Sequence, residues 1–326
     1  MNFSSFGLKH EIIRAIDQLG FEHATQIQEK AIPRMLTGDT DIIGLAQTGT
    51  GKTAAFGLPL IQRIDFKSQN PQGLILCPTR ELCLQITGDL KLFARHISNA
   101  RIAAVYGGAD IRHQITRIKK GVQIIVATPG RLLDLINRKA VKLSRVAYAV
   151  LDEADEMLNM GFQEDIDDIL ERTPADKRTW LFSATMPAAA AKIADTYMTH
   201  PVTITVGSPN KAAENISHAC YVIKQKDRYA ALKRMIDYIP DIFGLIFCRT
   251  RMETQTVADK LMKDGYNAEP LHGDLSQMQR NQVMRKFRER TLQLLVATDV
   301  AARGLDVDDI THVINYNLPD EPDRYT

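Results

Sequence analysis

Short apolar runs alternate with longer stretches of helical periodicity along most of this chain, and that rhythm limits the available folds more than any single residue does. In the first half the runs fall at 41–46, 73–77, 101–106, 123–127, 147–151 and 179–182, with helical patterns such as 82–96, 131–137 and 162–172 between them. Strands separated by helices do not pair as hairpins; they build a parallel sheet covered by helices on both faces. Gly207-Ser208-Pro209-Asn210-Lys211, rich in turn formers and without periodicity, interrupts the rhythm. It resumes with runs at 219–222, 245–248, 268–271, 293–297 and 312–316. The reading is an α/β chain of two parallel-sheet domains, 1–206 and 216–326, joined by a linker at 207–215. A length of 326 residues suits two cores better than one.

Composition excludes more than it identifies. Hydrophobic residues make up 44% and charged residues 25%, the balance of a soluble globular protein. No apolar run reaches membrane-spanning length, and the first ten residues lack a basic segment followed by an apolar core, so a cytoplasmic protein without membrane association is expected. The four cysteines, Cys77, Cys83, Cys220 and Cys248, fit no zinc spacing and read as buried reduced thiols. The net charge of +2 gives no hint of nucleic acid, so any such binding must come from local placement of charge and backbone donors.

Two segments carry chemistry. Ala46-Gln47-Thr48-Gly49-Thr50-Gly51-Lys52-Thr53 follows a strand and opens a helical pattern. Its glycines let the backbone wrap around oxygens with N–H groups inward, and the following helix offers its positive end to phosphates. Lys52 can reach the β- and γ-phosphates, and the Thr53 hydroxyl can ligate Mg²⁺. An ordinary glycine turn is the plainer alternative. Ala149-Val150-Leu151-Asp152-Glu153-Ala154-Asp155 is an apolar strand ending in acids. There Asp152 would hold Mg²⁺ and Glu153 would orient or deprotonate an attacking water. Asp155 and Glu156 could be no more than acids favoured at a solvated helix start.

Asp152-Glu153-Ala154-Asp155 spells the name of the DEAD-box RNA helicase family, and the chain resembles that family in order along its whole length. Phe3, Gly20-Phe21 and Ala24-Thr25-Gln26-Ile27-Gln28 resemble its N-terminal glutamine motif, with Ala24 and Gln26 where the family usually has proline. The phosphate loop resembles the family's, initial alanine included. Pro78-Thr79-Arg80-Glu81-Leu82, Gly107-Gly108 and Thr128-Pro129-Gly130-Arg131 look like its RNA-contacting elements, and Ser183-Ala184-Thr185 like its coupling motif. Ile246-Phe247-Cys248-Arg249-Thr250, His272-Gly273-Asp274, Gln279-Arg280 and 297–306 match in the second domain. The texture is similar to the bacterial cold-shock and ribosome-assembly members. After Tyr325-Thr326 the family continues with a His-Arg-x-Gly-Arg-x-x-Arg motif whose arginines reach the γ-phosphate, so the second domain is expected to be incomplete here and the natural chain to continue.

The resemblance implies two RecA-like domains of the P-loop NTPase class and an ATP-dependent RNA helicase, with ATP and Mg²⁺ as cofactors and RNA as partner. Catalysis would fall to Lys52, Asp152, Glu153, Ser183 and Thr185. ATP would be held by Phe21 stacking on adenine, Gln28 on its edge, Thr48, Gly49, Thr50, Gly51, Lys52 and Thr53 around the phosphates, and Asp306 on the ribose. RNA would meet Pro78, Thr79, Arg80, Gly107, Gly108, Thr128, Pro129, Gly130, Arg131, Arg249, Gly273 and Thr298 through its backbone, with little sequence information. Simpler readings stand beside these. Thr25-x-x-Gln28 and Thr250-x-x-Glu253 are capping boxes, and Thr79, Thr128 and Thr185 are candidate helix caps. Without the arginine motif, the chain as it stands could be an ATP-gated RNA-binding module with little turnover. A P-loop kinase or transporter ATPase would share the phosphate loop but not the second domain's motifs. The RNA target, oligomeric state and any ribosomal or RNA-degradation partners are not readable from these residues.

Overall fold

The fold, a computed structural model, describes residues 1–37, 40–207, 216–302, 307 and 309–318. The chain divides into two compact units between Pro209 and Asn210. The first opens with a 3₁₀ turn at Phe3–Phe6, α1 (His10–Gln18) and α2 (Gln26–Thr37), then alternates: β1 (Ile42–Leu45), α3 (Lys52–Arg63), β2 (Gly73–Leu76), α4 (Arg80–Phe93), β3 (Ile102–Val105), α5 (Ile111–Lys119), β4 (Ile124–Ala127), α6 (Pro129–Asn137), β5 (Tyr148–Asp152), α7 (Ala154–Asn159), α8 (Gln163–Leu170), β6 (Arg178–Ser183), α9 (Ala188–Tyr197) and β7 (Val202–Thr205). The strands form one parallel sheet in the order β3-β4-β2-β5-β6-β1-β7.

Burial on both faces explains why these strands are continuous apolar runs. Successive residues of β2 alternate between two cores: Ile75 joins Ile12, Ile27, Phe56 and Leu90 on one face, while Leu74 and Leu76 join Leu132, Ile166 and Ile193 on the other. Trp180 of β6 is fully buried, with its ring 5.2 Å from that of Tyr148. Asp41, 2% exposed, fastens the N-terminal ends of the strands: one carboxylate oxygen accepts from the Thr179 amide at 2.8 Å and the other from the Thr199 amide at 2.6 Å. β7 adds an edge strand where no strand is expected from the sequence, because only Ile204 of its four residues is buried and no apolar run announces it.

The second unit contains a 3₁₀ turn at Gln225–Asp227, α10 (Arg228–Tyr238), β8 (Gly244–Cys248), α11 (Arg251–Lys263), β9 (Ala268–Leu271), α12 (Gln277–Arg288), β10 (Leu294–Thr298), α13 (Asp299–Ala302) and β11 (His312–Asn315). Its four strands are parallel in the order β11-β8-β10-β9. The strand expected at 219–222 does not form. Tyr221 and Val222 are 65% and 97% exposed, and among the described residues no neighbouring strand pairs with this segment, so its apolar run has nothing to bury against. The expected linker, apart from Gly207, and Asp306 lie outside the described residues.

Candidate functional site

Parallel strands deliver all their following loops to one edge of a sheet, which is where ligands of open α/β sheets bind. β1 runs into the phosphate loop. Gly49 and Gly51 take positive φ values of 76° and 88°, and Gly51 caps the N-terminus of α3. Lys52 is 7% exposed, its ammonium donating to the Ala46 carbonyl at 3.0 Å, so a buried charge is held back across the loop. The Thr50 hydroxyl donates to the Gln47 carbonyl at 2.7 Å.

The glutamine motif fastens this loop to α2. Gln28 Oε1 accepts from the Thr25 amide at 2.9 Å, one half of the anticipated capping box, while Nε2 donates to the Gly51 carbonyl at 3.0 Å. The Thr25 hydroxyl donates to the Thr50 carbonyl at 2.8 Å. A Cβ at Gly51 would lie 2.4 Å from Gln28 Nε2, so the position needs glycine for space as well as for φ. Phe21 is 37% exposed and sits among the rings of Phe3 and Phe93, 6.1 and 6.2 Å away.

Two strands from β1, across β6, β5 ends in Asp152, which is 2% exposed. Burial pushes its carboxyl up, while the Lys52 charge and the Glu153 amide pull it back. Glu153 takes a left-handed backbone, φ 51° and ψ 51°. Burial, then the Asp152 charge, pushes its carboxyl up to about 7 against the opposing pull of Lys52. Lys52, Asp152 and Glu153 thus act on one another, and Thr53 follows Lys52 on α3. A hydroxyl and a carboxylate are hard oxygen donors of the kind Mg²⁺ takes, so the side chains present fit that ion.

Asp155, read from the sequence as a solvated helix-start acid, is 6% exposed and central. Its Oδ2 accepts from both the Thr185 amide (2.9 Å) and hydroxyl (2.8 Å), and its amide donates to the Ser183 hydroxyl at 3.3 Å. Thr185 is therefore no helix cap; α9 begins at Ala188 after Pro187. A pair of hydroxyls at alternate positions, needing an acceptor, was the signal available in the sequence.

The remaining elements follow β2, β4 and β3, the three strands on the other side of β5. Pro78 precedes Thr79, which caps α4 by accepting from the Leu82 amide at 3.2 Å. Arg80 lies over the Tyr106 ring, 4.6 Å from its centroid, and two of its buried guanidinium nitrogens have no hydrogen-bond partner among the described residues. Gly107 and Gly108 follow Tyr106, Gly108 with φ 75°. Thr128 is the N-cap residue of α6 and Pro129 its first residue, followed by Gly130. Arg131 donates to the Ala109 carbonyl at 3.0 Å, joining the loops after β4 and β3. Tyr106 is a functional candidate the sequence reading missed.

In the second unit Arg249, Thr298 and Gly273 end the adjacent strands β8, β10 and β9 or follow them directly. The Arg249 amide donates to Asn317 Oδ1 at 3.3 Å. Thr250 caps α11, accepting from the Glu253 amide at 3.1 Å. Glu253 does not return the bond expected of a full capping box; its carboxylate accepts from Asn317 Nδ2 at 3.2 Å. Thr298 Oγ1 accepts from the Ala301 amide at 3.4 Å.

Residues 25–193 match the family model described as DEAD/DEAH box helicase, and residues 227–326 match the helicase conserved C-terminal domain. The chain belongs to the DEAD/DEAH box helicase family. Among helicases of this family it is 49% identical over 325 residues to the ATP-dependent RNA helicase CshA of Listeria monocytogenes, covering 99% of this chain and 62% of that protein. It is 46% identical to the DEAD-box ATP-dependent RNA helicase CshA of Bacillus cereus, covering 99% of this chain and 61% of the relative. The chain thus spans about three fifths of the length of these curated relatives. The crystal structure of a DEAD box protein from the hyperthermophile Methanococcus jannaschii is 42% identical, with TM-score 0.61 over 100% of this chain and 87% of that one. Saccharomyces cerevisiae Dbp5 bound to RNA and ADP BeF3 is 29% identical, with TM-score 0.89 over 99% of this chain and 82% of that one. Both units are RecA-like parallel α/β folds.

Proposed function

We propose that this protein hydrolyses ATP in response to RNA and uses the cycle to open short RNA duplexes or remodel RNA–protein assemblies. The observation that carries the reading is the buried Lys52 after β1 and the buried Asp152 at the end of β5, on either side of β6, with Asp155 bonded to Ser183 and Thr185 where β6 ends. The names of the CshA relatives and the RNA and ADP BeF3 bound by Dbp5 support both ligands for this chain.

In this reading the loop amides and Lys52 grip the phosphates, and Lys52 exchanges the Ala46 carbonyl for a phosphate oxygen. Thr53 and Asp152 would hold Mg²⁺, which would supply charge neutralisation at the phosphates. Glu153, deprotonated, orients and takes a proton from the attacking water. Phe21 and Gln28 select adenine, and Asp306 takes the ribose. Ser183 and Thr185 report the state of the acids to β6. The loops after β2, β3 and β4, with Arg249, Gly273 and Thr298, hold the RNA backbone without reading bases. Residues 207–215 link domains 1–206 and 216–326. Free thiols, buried as expected at Cys77, Cys83 and Cys248 but exposed at Cys220, suit a reducing cytoplasm.

The test is phosphate release by the full-length protein with and without single-stranded RNA. Stimulation by RNA, lost in Lys52→Ala and Glu153→Gln, is the expected result. ATP turnover indifferent to RNA would return the chain to the general P-loop ATPases, and RNA binding gated by ATP without turnover would leave a clamp only.

A further inference from the structure

β3 is an edge strand of the first sheet, and α5 packs beside it. Between them lies an open cleft of about 450 Å³ that begins at Tyr106 and Ala109, either side of the Gly107-Gly108 loop, and runs along α5 past His113, Arg117 and Lys120. Those three positions fall on one helical face, and all are exposed. From Gly107 to Gly121 the sequence carries four Lys or Arg against a single acid, Asp110, in a chain whose net charge is only +2. Asp110 is occupied in capping α5, accepting from the Arg112 amide at 2.8 Å, and lies 3.8 Å from His113. Among the described residues neither Arg117 nor Lys120 has a carboxylate within ion-pair distance. Cations crowd further at Lys91 on α4, whose ammonium is depressed by partial burial and then by the Arg117 charge. The floor is rigid: Gln114 clasps Tyr106 with both ends of its amide, donating to its carbonyl at 3.0 Å and accepting from its amide at 3.3 Å.

We infer that this cleft continues the RNA track outward from Gly107-Gly108, holding the phosphodiester backbone of an unpaired strand on Arg117 and Lys120. The inference rests on the RNA reading of the core site. Continuity with that loop and unpaired cations along one face favour a polyphosphate chain over an acidic protein segment.

The experiment is fluorescence anisotropy on the full-length protein with a non-hydrolysable ATP analogue, using a short oligouridylate that fills only the core and a longer one that reaches α5. The paired variant Arg117→Gln and Lys120→Gln should bind the longer strand about ten-fold more weakly, with the salt slope shallower by roughly 1.4 for two lost phosphate contacts. The short strand should bind as before, with an unchanged thermal midpoint. The charge-keeping pair Arg117→Lys and Lys120→Arg should match the parent. Unchanged binding of the longer strand overturns the inference, and so does equal weakening at both lengths, which would mean a diffuse field. Polyglutamate bound on these residues in place of RNA would assign the surface to a protein partner. A parent protein that binds neither strand would fail the RNA reading itself.

Discussion

Glu153 combines two departures from ordinary behaviour, a left-handed backbone and a carboxyl pushed up to about 7 by burial and then by Asp152. A non-glycine residue is held in that conformation only when its surroundings insist, and such positions gather at functional sites. As a base it must be ionised, so kcat/KM for ATP should climb as pH rises towards about 7 and level off above it; a flat profile from pH 6 to 8 would remove Glu153 from that role. The same shift has a consequence for stability. Between the usual carboxylate range and about 7 the folded state keeps a proton that the unfolded chain releases, so this group's contribution falls as pH rises and is gone above 7. Glu153→Gln should therefore abolish turnover yet stabilise the first unit at pH 8 by about 2–3 kcal/mol, a gain that vanishes near pH 4 in urea melts. Gly51→Ala meets both a φ of 88° and Gln28 Nε2, and should destabilise the unit by about 1–2 kcal/mol while weakening nucleotide binding. Asp152 and Glu153 were legible because they sit where an apolar strand stops, and Lys52 and Thr53 because a glycine-rich loop joins them to one. Asp155 was not, since its burial depends on β6, whose approach to β5 no local pattern encodes.

Elements, taken together, sort the chemistry by strand. β1, β5 and β6 lie side by side and carry the candidate nucleotide residues, while β2, β3 and β4 carry the candidate RNA residues. Ser183 at the end of β6 and Thr185 just beyond it both bond to Asp155 of α7. Thr185→Val removes its hydroxyl's bond to Asp155 and should lower RNA stimulation of phosphate release more than the unstimulated rate; equal losses would make the tie merely structural. At the opposite ends of the strands, Asp41→Ala strands the buried amide of Thr179 and frees the amide of the exposed Thr199, and should cost about 1–3 kcal/mol by denaturant titration. Strand positions could be read from apolar runs, because a strand buried on both faces has no polar interruption. The spatial order could not, since it depends on crossovers that leave no trace in the runs. β7 and the segment 219–222 failed for opposite reasons: Val202 to Val206 alternates apolar and polar β-branched residues and so shows no continuous apolar run, while 219–222 shows such a run but has no partner strand.

At the scale of the molecule, each unit has its own pair of cores, one on either face of its sheet. ATP and RNA, if both favour one arrangement of the protein, must help each other equally: the factor by which an ATP analogue tightens RNA equals the factor by which RNA tightens the analogue. A factor of one in these titrations would sink the coupling. The two-unit plan could be read from the break in rhythm near 207. The chain's single tryptophan, Trp180, is packed against Tyr148 inside the first sheet. Indole emission is thus a built-in optical reporter belonging to one half of the protein. A urea curve followed at that wavelength is blind to the other half, and its displacement from the circular-dichroism curve measures directly how unequally the halves resist unfolding.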